Sequence, residues 1–103
     1  MNFTKKRAGE TEIFSVDFVN NLAAGEAIET AEWSITVKTG TDPAASSMIQ
    51  GTATIEENGT IVSQVLTGGV AGVTYSPICT ITTSLSQTII LPDPGKGSLE
   101  VVA

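Results

Sequence analysis

The sequence predicts an all-β chain folded as an immunoglobulin-like antiparallel β-sandwich of about seven strands. Three observations carry that expectation. Thr, Val and Ile recur throughout the 103 residues, in short runs where apolar and polar side chains alternate. Gly, Asn, Asp or Pro interrupts the runs every 8 to 12 residues or so, about the spacing of sandwich strands. No stretch shows the 3.6-residue period of an amphipathic helix.

From Ile13 to Phe18, Phe14, Val16 and Phe18 share one face and Ser15 and Asp17 the other. From Ala31 to Lys38, Trp33, Ile35 and Val37 oppose Glu32, Ser34 and Thr36, which gives one dry side and one wet side. The long interruption Thr39 to Met48 holds Asp42 followed by Pro43, the pattern of an N-cap with proline at the first helical position, so about one helical turn is expected. A short strand over Gly51 to Ile55, with Ala53 and Ile55 inward, leads to Glu56-Glu57-Asn58-Gly59. Asn-Gly there suits the positive φ values of a tight hairpin turn.

Thr60 to Leu66 carries the adjacent apolar pairs Ile61-Val62 and Val65-Leu66, so burial on both faces or a bulge is expected. Val73 to Thr83 places Tyr75, Pro77, Cys79 and Ile81 on one side. A proline cannot donate to a ladder, so this strand is expected at an edge or bulged at Pro77. Gln87 to Leu91 is a further pairing segment, and Ser98 to Val102 is either a last strand or a tail lent to a neighbour. The expected core is Phe14, Val16, Phe18, Trp33, Ile35, Val37, Ile55, Val65, Tyr75, Cys79, Ile81 and Ile89. The expected division is an N-terminal arm over residues 1–9, one sandwich over 10–92, and a C-terminal tail or added strand over 93–103.

Five basic against eleven acidic residues give a net charge of −6, which opposes docking on nucleic-acid phosphates or an anionic membrane. Neither nucleic acid nor membrane is an expected partner. Lys5, Lys6 and Arg7 form the only basic cluster; it reads as a solvated tail or as an arm that docks on an acidic neighbouring subunit. Cys79 is the single cysteine, so no intrachain disulfide can form. The start lacks a signal-peptide apolar stretch, and folding in a reducing cytosol is expected.

Candidate chemistry is sparse. The chain has no histidine, which removes Ser-His and Cys-His nucleophilic pairs and, with one cysteine, a zinc tetrad. Cys79 reads as a small core hydrophobe. Glu56-Glu57 and the set Glu26, Glu29 and Glu32 read as solvated surface, and Asp42 or Asp93 as weak calcium candidates. Gly68 to Gly72 precedes a strand rather than a helix, so it is no dinucleotide fingerprint. Gly95-Lys96-Gly97-Ser98 lacks the spacing of a phosphate loop. The sequons Asn2-Phe3-Thr4 and Asn58-Gly59-Thr60 mean little without a signal peptide. No catalytic residue, cofactor or metal is expected. A sugar-binding reading fares poorly because Trp33 and Tyr75 are assigned inward, leaving only Phe3 free.

Gly68 to Tyr75 followed by Cys79 to Ser84 resembles the signature of phage fibre-tail adaptors. So do Lys6-Arg7-Ala8-Gly9-Glu10, Asp17-Phe18, Leu22 to Ile28 and Ala31 to Val37, in that order, over roughly residues 6 to 91. Each piece also has a structural reading. Gly72 three residues before Tyr75 suits a tyrosine corner, and Gly25 a turn between strands. The resemblance implies a non-enzymatic virion structural protein at the neck or tail, joining fibres or tail components to the portal or connector region. It further implies portal, head-tail connector, tail or fibre subunits as partners, several symmetric copies in the particle, and assembly in the host cytoplasm. A capsid decoration or an immunoglobulin-like adhesion module is the alternative.

Overall fold

The computed structural model describes residues 3–56, 59–92 and 96–103. Among these residues eight strands form two sheets: β1 (Lys6–Arg7), β2 (Thr11–Asp17), β3 (Ile28–Thr39), β4 (Ile49–Ile55), β5 (Ile61–Thr67), β6 (Thr74–Thr83), β7 (Thr88–Leu91) and β8 (Leu99–Val102). One sheet runs β1-β8-β6-β3 with β7 also on β6, and the other runs β2-β5-β4. In the immunoglobulin scheme β2, β5 and β4 take the places of strands B, E and D, and β3, β6 and β8 those of C, F and G. The first strand departs from that plan. It lies parallel to β8, with Lys6 opposite Val101 and Arg7 opposite Val102, and so extends the larger sheet.

Alternation sets the inner faces. Phe14, Val16 and Phe18 from one sheet meet Trp33, Ile35, Tyr75, Cys79 and Ile81 from the other, and all are buried. Val37 and Ile89 are only partly buried against this core, and Ile55, at the open end of its strand, is 36% exposed. β5 runs in the opposite phase to the one expected: Val62 and Leu66 are inside and Val65 is half-buried. Pairing with β2 sets that phase, with Val62 opposite Val16 and Gln64 opposite Phe14, while β4 shifts register between Gln50 and Thr54. Gln64 turns inward there, and its amide donates to the Gln50 and Gly51 carbonyls at 2.9 and 3.2 Å. A buried polar side chain is tolerated because it satisfies acceptors that the bulge leaves without strand partners.

Pro77 is buried in the central strand of its sheet, neither at an edge nor at a bulge. β3 pairs along one side of β6, with Ile35 opposite Pro77. On the other side β8 covers only Thr74 and Tyr75, and β7 covers Cys79 to Thr82. The proline falls in the gap between those two partners, where no ladder donor is needed. Its carbonyl faces Gly97, at which an added Cβ would lie 3.0 Å from that oxygen.

The helical turn is a 3-10 segment, Ala45–Met48, whose N-cap is Ala44 rather than Asp42. The β4–β5 connection closes with Glu56 N–H on the Ile61 carbonyl at 2.8 Å and Gly59, at φ +76°, on the Glu56 carbonyl at 2.9 Å. Pairing thus closes from Glu56 to Ile61, wider than a two-residue turn; Glu57 and Asn58 lie outside the described residues, as do Asn2 and Asp93. Ser98 to Val102 pairs within its own chain as β8.

Candidate functional site

Tyr75, Lys6 and the Gly68 to Gly72 segment gather where the first and last strands meet the loop after β5. Tyr75 is fully buried at the start of β6. Its hydroxyl accepts the Val70 N–H at 2.9 Å and donates to Asp42 Oδ2 at 2.7 Å. This is a tyrosine corner with a side-chain acceptor added to the main-chain contact. Asp42 also accepts the Ala44 N–H at 3.0 Å, so one carboxylate ties the β3–β4 connection to β6 and to the glycine loop. Burial, and next the bond to Asp42, hold the Tyr75 phenol above its ordinary value, with the Val70 N–H pulling the other way.

Lys6 sits behind this corner. It is buried completely, whereas Lys5 and Arg7 are exposed on either side of it. Its ammonium donates to the Gly68 carbonyl at 2.7 Å and to the Arg7 carbonyl at 2.8 Å. Desolvation lowers its pKa below the ordinary lysine value, with Glu12 and then Glu10 pulling it back. The expected basic arm is therefore split. Lys6 is a fastener between the sheets and cannot reach a neighbour, because β1 alternates it inward beside Val101. Phe3 is not free either: its ring lies 6.2 Å from Phe14 and 6.1 Å from Trp33, and its N–H bonds the Ser98 carbonyl at 2.9 Å.

Two turns of the same wording flank β2. In Arg7-Ala8-Gly9-Glu10 the Glu10 N–H bonds the Arg7 carbonyl at 3.0 Å, and the Glu10 carboxylate accepts the Arg7 N–H at 2.9 Å. Ala23-Ala24-Gly25-Glu26 repeats both bonds at 3.0 and 2.9 Å. Gly25 alone has the positive φ, +78°. Glu26, expected on the surface, is buried and also accepts the Thr83 hydroxyl. That hydroxyl, and then the Ala23 N–H, hold its carboxyl below the ordinary carboxylate range. It joins the loop before β3 to the end of β6. Sequence reading missed this, since the partner lies 57 residues away; the repeated Ala-Gly-Glu wording was the available signal.

The remaining polar groups make structural ties. Ser63 donates to Glu56 at 2.7 Å and shares a 2.8 Å bond with Ser15. Cys79 is a buried free cysteine, and burial pushes its thiol up to about 12, which keeps it a thiol rather than a nucleophilic thiolate. Among the described residues no group of three or more His, Cys, Asp or Glu side chains gathers to hold a metal ion. Surface depressions occur among the described residues. One, of about 260 Å³, lies beside the β4 bulge and is lined by Ile13, Thr54, Ser63 and Val65. Another, of about 350 Å³, is lined by Phe3, Lys5, Thr74, Ser98 and Glu100.

These features define a small immunoglobulin-like β-sandwich whose distinctive residues fasten its own loops and first strand. Residues 6–91 match the podophage GP4 fiber-tail adaptor protein gp77. The chain belongs to that family. The matched span starts at β1 and ends with β7, leaving β8 outside. No curated protein matches the chain.

Proposed function

We propose that this chain is a non-enzymatic structural component of the virion, an adaptor at the neck or tail that joins fibres or tail components to the portal or connector region. The supporting observation is the family match along the sandwich from β1 to β7. Its partners are portal, head-tail connector, tail or fibre subunits, met in several symmetric copies after assembly in the host cytoplasm. The fold suits such a role. The interior is filled, the loops are tied by Tyr75, Lys6 and Glu26, and the surface offers open sheet faces and exposed apolar side chains such as Ile13 and Leu85 for contact. Of the basic cluster, Lys5 and Arg7 are the members available to a neighbour.

Density for the chain in the intact particle tests the reading. Contact with tail, fibre or portal subunits is expected. A position on the capsid lattice away from the tail would replace the adaptor role with decoration.

A further inference from the structure

The smaller sheet has an open edge at β2. In the immunoglobulin plan the first strand pairs with strand B, whose place β2 takes, but here β1 has left that position for β8. The Phe18 N–H bonds the Thr60 carbonyl at 2.8 Å, and Asp17 stands opposite Ile61 in the same register. The even-numbered residues of β2 therefore direct their main-chain groups at β5. Thr11, Ile13, Ser15 and Asp17 turn their N–H and C=O groups toward the open side, and all of them are exposed. Among the described residues no strand lies beyond them.

Proteins blunt open edges with lysine, proline, bulges or shortness. β2 uses none of these: it keeps one register from Thr11 to Asp17 and holds neither lysine nor proline. The opposite edge of the sheet, β4, shifts register between Gln50 and Thr54, and β3 shifts near both of its ends. Ile13 stands midway along the open side and is 70% exposed. It lies opposite Val65 and lines the depression of about 260 Å³ together with Thr54, Ser63 and Glu56. The charges here have one sign. β2, β4 and β5 contain Glu12 and Asp17 but no lysine or arginine, and Glu56 adds a carboxylate at the depression.

We infer that the β2 edge receives an extended segment of a different polypeptide, a strand that carries a lysine or arginine and an aliphatic side chain. Main-chain donors and acceptors at strand spacing fix the backbone of the occupant as extended. Ile13 and the depression beside it match an aliphatic side chain at the centre of that strand, and Asp17 and Glu56 match a cation. A second copy of this chain fits poorly, because it would set two sheets without a basic residue edge to edge when each chain already carries −6. The added strand takes the place that β1 vacates beside strand B and extends the three-stranded sheet by one. Under the adaptor reading it comes from a tail, fibre or portal subunit; the edge itself does not depend on that reading.

Density for the assembled particle is the direct test. A strand of another subunit hydrogen-bonded along Thr11 to Asp17, with a lysine or arginine beside Asp17 or Glu56, is expected wherever in the particle the chain sits. Amide exchange adds a residue-level check: the Ile13 and Ser15 N–H groups should slow by about tenfold or more between the isolated chain and the particle, whereas Phe14 and Val16, already bonded to β5, should not depend on the added strand. Ile13→Lys blunts the edge at an exposed position, so the melting temperature should stay within about 4 °C of the parent. Its incorporation into particles should fall by about tenfold or more, while Ile13→Val should be incorporated like the parent. A β2 edge open to solvent in the particle, a strand there without a basic residue, or an Ile13→Lys chain incorporated as well as the parent overturns the inference. Each of these leaves the adaptor reading intact, since that reading is decided by whether the chain sits at the tail.

Discussion

Replacing Lys6 by Met tests whether the buried ammonium fastens the first strand or merely burdens it. Methionine keeps an unbranched chain of similar length, so packing beside Val101 is largely retained while the two bonds, at 2.7 and 2.8 Å, are lost. Hydrogen bonds from a charged donor contribute about 1.5 to 3 kcal/mol each. Removing a desolvated cation returns part of that, since burial already disfavours the charged form. What persists is the Gly68 carbonyl, stripped of its donor, and an unmet buried acceptor costs about 1 to 3 kcal/mol. The expected net loss is about 1 to 3 kcal/mol of unfolding free energy. Lys6→Ala also deletes three methylenes, at about 0.8 kcal/mol each, and should lose about 3 to 5 kcal/mol in all. Urea unfolding followed by the fluorescence of the single tryptophan, Trp33, reads the global term. Hydrogen exchange at Ala8, whose N–H bonds the Val102 carbonyl at 2.9 Å, reads the local one and should quicken in both variants. A Lys6→Met chain as stable as the parent, with Ala8 still protected, would refute the fastener.

Tyr75→Phe removes the hydroxyl that joins Val70 to Asp42; a loss of about 1 to 3 kcal/mol is expected, with the same penalty in Asp42→Asn far smaller because an amide oxygen still accepts, and chemical denaturation of both variants checks the order. Cys79 should contribute to alkaline destabilisation, since its folded pKa of about 12 stands above its unfolded value of 9.0. A raised thiol pKa leaves stability complete below the unfolded value and removes it as pH climbs toward the folded one. At pH 10.5 the loss is about 2 kcal/mol, and Cys79→Ala, although less stable at pH 7, should lose correspondingly less between pH 8 and 10.5 in urea titrations at each pH.

What the sequence made legible was the set of inner faces. Phe14, Val16 and Phe18, then Trp33 and Ile35, then Tyr75, Cys79 and Ile81 all follow from strict alternation, because one face of each strand is dry. Alternation failed on β5. Two apolar pairs fit either phase there, and the choice fell to Gln64, a residue type usually found outside, because the β4 bulge supplied carbonyls for its amide. Lys6 and Glu26 were misplaced for a related reason. Charged side chains are assigned to water by default, and the groups that hold these two inside lie 62 and 57 residues away. Pro77 was read correctly as unable to donate but placed at the wrong position, since a gap between two end-to-end neighbours serves as well as an edge. The tyrosine corner was visible from Gly72 and Tyr75; its Asp42 partner was not.

The parallel pairing of β1 with β8 sets how the domain meets tension. The Phe3 N–H bonds Ser98 near the start of both strands, and the Ala8 N–H bonds Val102 near their ends. A pull that enters ahead of Phe3 and leaves beyond Val102 slides the two strands along each other, straining every rung of the ladder at once. Rungs strained together resist far longer than rungs peeled one after another. A pairing registered over only two positions thus gives the fold its resistance to a pull in this direction.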